Sequence, residues 1–170
     1  NVYKALRQED KALKYLQQAL EMYKELYSDN HPAIARTLNN LANVYQDLGK
    51  DQEALKCRKR SFKIRQALYK CNHPALAESL NGIANVYYSK GQYDKALKYH
   101  QQVFTMKKNL AIDNHPSIVD SIYILAEMYK HGTGIEKNQD KAIELYIQAA
   151  KKKHRDAPFE LSKLALAGSK

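Results

Sequence analysis

HPAIARTLNNLANVYQDLGK, residues 31–50, returns as HPALAESLNGIANVYYSKGQ at residues 73–92 and, more loosely, as HPSIVDSIYILAEMYKHGTG at residues 115–134. The pairs His31-Pro32, His73-Pro74 and His115-Pro116 stand 42 residues apart each time, and residues 31–72 laid over 73–114 agree at 17 of 42 positions. A fixed period of that length marks an array built from one supersecondary unit. Residues 1–30 align with 85–114, Asn1-Val2-Tyr3 over Asn85-Val86-Tyr87, so the chain opens in mid-repeat.

Each unit carries two apolar stripes. Ile34, Leu38, Leu41, Ala42, Tyr45 and Leu48 recur at spacings of three and four, one face of a helix. Pro32 suits the first turn of that helix and Gly49 its end. Ala54, Leu55, Ser61, Phe62, Leu68 and Tyr69 form the second stripe, matched one period on by Ala96, Leu97, Val103, Phe104, Leu110 and Ala111. The unit is a helical hairpin, and a single hairpin cannot bury both stripes, so neighbours must stack. The expected fold is all-α: a right-handed superhelix, or α-solenoid, of antiparallel helical hairpins.

Composition agrees. The 170 residues are 44% hydrophobic, enough for a core, while 6 Gly and 4 Pro are too few for an all-β chain with its frequent turns. No apolar run approaches the length of a membrane helix, and the N-terminus shows no signal-peptide pattern. Cys57 and Cys71 fit neither a disulfide framework nor a metal motif, so reduced thiols and a cytoplasmic location are expected. The absent initiator Met reads as the mark of a fragment. Charge is lopsided, 28 Lys and Arg against 18 Asp and Glu, a net +10 that invites an anionic partner without proving one.

Leu38, Leu41, Ala42, Tyr45, Gly49, Ala54 and Ser61 resemble the tetratricopeptide pattern, and Leu80, Ile83, Ala84, Tyr87, Gly91, Tyr93, Ala96 and Val103 repeat it. The 42-residue period, the His-Pro start and the Leu38-Asn39-Asn40-Leu41-Ala42 block resemble kinesin light chain repeats. Arg58 and His100 depart from the usual aromatic of the second helix. Further on, Ala142 lies 46 residues after Ala96, four beyond the period, and the stretch from Ala126 through Gly132-Thr-Gly134 to Ala149-Ala150 resembles a Sel1-like repeat with its longer loop. The expected organisation is a tetratricopeptide array over 1–130 (partial repeat 1–30, then repeats from 31, 73 and 115), a Sel1-like hairpin over 126–156, and a capping helix and tail over 157–170.

The resemblance implies that the first helix of each unit lines a concave groove, in rows Arg36, Asn39, Asn43, Gln46; Glu78, Asn81, Asn85, Tyr88; and Asp120, Tyr123, Glu127, Lys130. Asn1, Asn43 and Asn85 form a ladder of amides able to bond the backbone of an extended peptide, against the bland reading of solvated surface residues. Tyr88 and Tyr123 are candidate aromatic anchors. Glu78, Asp120 and Glu127 give an acidic lining, so a protein or peptide partner with a basic or polar end is expected. The implied function is a protein–protein interaction module, an adaptor or scaffold. Alternatives are an acidic partner or nucleic acid bound by the convex basic helix 54–70, and a structural spacer in a larger protein.

Seven Lys or Arg and no acid lie between Ala54 and Ala77, and Lys56, Lys59, Arg60 and Lys63 share one helix face. A second cluster runs from Lys151 to Arg155. The periodic histidines are not a metal site: stacked hairpins separate them by roughly 15–20 Å, whereas zinc ligands sit at about 2 Å. They read as helix-entry turns. Gly132-Thr-Gly134 lacks the strand and third glycine of a phosphate loop. No metal, no cofactor and no catalytic residue is expected, so the chain is not read as an enzyme. No membrane insertion is expected. The expected state is a monomer, or a dimer induced by truncation through exposed Leu6, Leu13 and Leu16.

Overall fold

The computed structural model describes residues 2–69, 73–107 and 115–168, with side chains from residue 8 onward in those spans except 107, 165, 167 and 168. The described residues form eight α-helices and no strand: α1 (Val2–Leu26), α2 (Pro32–Asp47), α3 (Asp51–Leu68), α4 (Pro74–Ser89), α5 (Tyr93–Lys107), α6 (Pro116–His131), α7 (Gln139–Lys151) and α8 (Ala157–Gly168). They divide into two compact units, Asn1–Val86 and Tyr87–Lys170, whose boundary falls inside α4.

In the first unit, α2 opens as the sequence indicates, with Pro32 in the first turn. His31 is more than a spacer. Its Nδ1 accepts the Ala33 N–H at 3.2 Å, satisfying one of the otherwise unpaired amides of the helix start, and its ring stacks on Tyr27 with centroids 3.8 Å apart. The same device recurs one period on: His73 Nδ1 accepts the Ala75 N–H at 3.2 Å, and its ring stacks on Tyr69 at 3.9 Å. At the other end Gly49 takes φ +69°. The Lys50 N–H then reaches back to the Tyr45 carbonyl at 2.7 Å, which closes the helix.

Arg7 stands where Gly49 and Gly91 stand one and two periods later. Both of those glycines adopt left-handed φ, which costs a residue with a Cβ about 1–2 kcal/mol. Without a glycine there is no turn, and α1 runs unbroken from Val2 to Leu26. Leu13 and Leu16 are not left exposed, contrary to the sequence expectation. With Leu20 and Tyr23 they pack against Ile34, Ala35, Leu38 and Leu41 of α2, joined by Ile64 of α3. Among the described side chains of α1, the exposed large apolar ones are Tyr15, Met22 and Leu26. Leu6 lies outside the described side chains.

The second unit is built around Ile118, Ile122, Leu125, Ala126 and Met128 of α6, with Ala142, Leu145, Tyr146 and Ala149 of α7 buried in the same unit. The longer α6–α7 loop is held by Gly134: φ is +69° there, and a Cβ would stand 2.7 Å from that of Tyr93. Asn138 then caps α7, its side chain accepting the Lys141 N–H at 2.9 Å. His100 occupies the junction of α5 with α6, fully buried. Its Nδ1 lies 3.2 Å from Ser121 Oγ, and its Nε2 has no partner. Burial lowers its pKa from 6.5 to about 4.

Two outcomes are expected. Gly49→Ala meets no steric obstacle, so it should lower stability to urea by about 1 kcal/mol through backbone conformation alone. His100 binds its proton less readily folded than unfolded. Its contribution is therefore complete above pH 6.5 and declines as pH falls from 6.5 toward about 4. Acid titrations of the unfolding midpoint should show that slope, and His100→Phe should flatten it. An unchanged slope in the variant would assign the acid sensitivity elsewhere.

Candidate functional site

In the first unit the expected groove rows fall on α2 and α4. Arg36, Asn43, Glu78 and Asn85 are exposed, and Gln46 is half-buried. Asn39 and Asn81 are not part of an open surface: they are 4% and 7% exposed. With its amide oriented to satisfy both ends, Asn39 accepts from the two Arg65 η nitrogens at 3.2 and 3.1 Å and donates to Ser61 Oγ at 3.1 Å. Arg65 Nη1 also donates to the Ala75 carbonyl at 2.8 Å, Ser79 Oγ at 3.0 Å and Glu78 Oε2 at 2.9 Å. Ser61 Oγ donates to the Ala35 carbonyl at 2.8 Å. This is a satisfied polar network that ties α2, α3 and α4 together, and it takes up Asn39 and much of the charge of Glu78.

Arg58 is the second inward arginine. It leaves α3 one turn before Ser61, and its Nη2 donates to Asn43 Oδ1 at 2.6 Å and Gln46 Oε1 at 3.0 Å. It lies over Gly82 of α4, where an added Cβ would stand 2.9 Å from the guanidinium carbon. Burial lowers its pKa, with Glu78 partly offsetting this. Ala54, Arg58, Ser61 and Arg65 make one stripe of α3, so two of the seven basic residues between Ala54 and Ala77 turn inward. Lys56, Lys59, Arg60 and Lys63 are exposed as a basic face, with Arg60 4.0 Å from Asp29. Lys70 and Cys71 lie outside the described residues, as does Asn1.

In the second unit Tyr88 meets Tyr93 edge-on at 5.2 Å. Tyr123 is stacked on His154 at 4.1 Å and set edge-on to Tyr146 at 5.6 Å, and burial with Glu127 nearby pushes its pKa up to about 12. Glu127 accepts the Tyr146 hydroxyl hydrogen and stands 3.4 Å from His131 and 3.7 Å from Lys130. Lys130 in turn donates to Glu160 of α8, which also receives Lys163 at 2.9 Å. Asp120, 3.8 Å from His154, keeps its side chain 53% exposed. Two acids of the lining are thus engaged from within the chain, Glu127 by Tyr146 and its basic neighbours and Glu78 by Arg65, whereas Asp120 stays half exposed beside His154. The sequence offered no sign that His154 and Glu160 would come to this row, because the path of the α7–α8 connection decides it.

The arrangement holds amides, ion pairs and aromatics. Burial raises the Cys57 thiol pKa, with Arg60 and Arg58 partly offsetting this. Among the described residues no three of His, Cys, Asp and Glu stand together as a metal site, and no helix is long and apolar enough to cross a membrane.

A tetratricopeptide repeat family model matches residues 1–57 and 33–109. The chain belongs to the tetratricopeptide repeat family. A Sel1 repeat model matches residues 119–154, across most of α6, the longer loop and α7. Among solved structures the chain is similar to the TPR-like repeats of a kinesin light chain from Podosopora anserina, with TM-score 0.73 and 24% identity over 98% of this chain and 82% of that one. A variant of that protein gives TM-score 0.74 at the same identity and coverage. BtubC (BKLC) from P. vanneervenii gives 0.75 and 21% over 89% of this chain and 59% of that one. The fold of this tetratricopeptide chain is therefore an α-solenoid. No curated protein sequence matches it significantly.

The Lys130–Glu160 pair fastens α8, with side chains only 20% and 11% exposed. Lys130→Met should cost about 1.5–3 kcal/mol by removing one of the two charged donors on Glu160 and leaving it only Lys163, whose own side chain is 53% exposed. Lys130→Met with Glu160→Leu should recover most of that loss. Chemical denaturation of the three proteins measures both, and a double variant as weak as the single one would deny the pair this role.

Proposed function

We propose that this tetratricopeptide chain is a protein-interaction module that captures an extended peptide segment of a partner, through Asn43 and Asn85 on the open face of the first unit. What supports the reading is the pair of exposed amides one period apart on α2 and α4, with Arg36 and Glu78 exposed on the same two helices. A carboxamide both donates and accepts, so it can bond peptide backbone with little regard to side chains. The work is recognition without bond-making or bond-breaking. With Glu78 and Glu127 already engaged inside the chain, a basic end on the ligand is not what the reading rests on. In the second unit Tyr88 and Asp120 are the row members best placed to meet a ligand. The role served is that of an adaptor or scaffold.

Asn43→Tyr with Asn85→Tyr should abolish capture of partner proteins from lysate while leaving the helical circular dichroism unchanged. An identical set of bound proteins would overturn the reading. A second reading is carried by the four exposed cations of α3: an anionic partner, including nucleic acid, bound on that face. Binding there would fall steeply with salt and survive the double amide variant.

A further inference from the structure

Arg58 departs from the pattern of its own family, and its surroundings show what the departure does. Its equivalents one period either way are Leu16 and His100, and in the last hairpin Tyr146, 46 residues beyond His100. Leu16 packs into the α2 cluster as an apolar filler. Arg58 instead donates to Asn43 Oδ1 and Gln46 Oε1. Tyr146 makes the corresponding bond to Glu127, whose place in α6 matches that of Asn43 in α2. In both hairpins a side chain of the second helix takes hold of a row residue of the first helix.

We propose that Arg58 is a specificity-determining residue of the peptide groove: by holding the amide oxygens of Asn43 and Gln46, it fixes both amides with their NH2 groups turned to a ligand. The inference rests on the peptide-binding reading above and sharpens it. A free carboxamide turns either end to a ligand, whereas one whose oxygen is held keeps its NH2 group turned out and has one lone pair to spare. The rung at Asn43 therefore favours carbonyl oxygens of the ligand over N–H groups. Asn85 makes no such contact with Arg58.

Two features make the arrangement specific to this hairpin. Gly82 lets the guanidinium lie against α4, and the equivalent positions of α2 and α6 are Asn40 and Ile124. The guanidinium also meets neutral amide oxygens here, with no carboxylate in salt-bridge contact, and Arg58 Nε is buried without a partner. A buried donor left unsatisfied is costly, so the geometry is retained at an expense that an aliphatic residue, as at Leu16, would avoid.

The test uses the full chain and a displayed library of uncharged decapeptides, from which the tightest wild-type binder is taken. Asn43→Asp keeps an oxygen for Arg58 and removes the NH2 donor. Binding should weaken at least tenfold while the thermal midpoint holds or rises. Arg58→Leu, borrowing the residue found at position 16, should keep the helical signal and lose the preference, binding peptides whether or not the amide facing position 43 is N-methylated. Gly82→Ala should reproduce that loss by displacing the guanidinium.

Retained affinity in Asn43→Asp, or an unchanged N-methylation profile in Arg58→Leu, would overturn the role of Arg58 while peptide binding itself stood. A wild-type chain that selects no decapeptide would bring down both.

Discussion

The second helix of each hairpin must satisfy two neighbours at once, and the residue at that junction decides what the adjoining surface can offer. In α1 the junction is filled by Leu16, which simply packs. In α3 it is Arg58, which reaches the α2 row residues. In α5 it is His100, which turns to Ser121 of α6. In α7 it is Tyr146, buried and bonded to Glu127. One structural position has thus taken an aliphatic, a cation, a neutral imidazole and a phenol. The helical scaffold tolerates all four because the small residues around them, such as Ala54, Ala96 and Ala142, keep the helices close.

That constraint also distributes the charge. The excess of +10 is not a simple coat on one side. Lys56, Lys59, Arg60 and Lys63 stay outside, but Arg65 is spent on Asn39, Glu78 and the Ala75 carbonyl, and Arg58 on amide oxygens. Lys130 is spent on Glu160. Glu78 and Glu127 are partnered by the same redistribution. Hydrogen bonds from Lys130 and Lys163 hold the Glu160 carboxyl below its usual range, so the attachment of α8 weakens in acid as that group protonates.

The fold was legible because period and stripe spacing are local properties repeated along the chain. The His-Pro starts and the glycines with left-handed φ fell where the pattern put them. The unbroken α1 had its own sign in the sequence, Arg7 in a glycine's place. The row residues were harder. Helical spacing gives a direction around one helix, and Asn39 and Asn43 are only four residues apart, yet one is sealed under Arg65 and the other is exposed. A clue was present in α3, where Arg58 and Arg65 lie seven apart in a stripe with Ala54 and Ser61. Arginine can sit in such a stripe only when acceptors wait on the facing helices.

By itself the sequence determined the all-α class, the 42-residue hairpin, the longer loop before α7 and the family, because each follows from periodicity and turn chemistry within a few tens of residues. Only the tertiary structure decided which polar residues stay exposed and which are held by other helices. That choice depends on side chains arriving from other helices. Arg58 comes over Gly82, Arg65 reaches under Asn39, and His154 and Glu160 come from the connection after α7 and from α8. Their reach is set by how the helices pack.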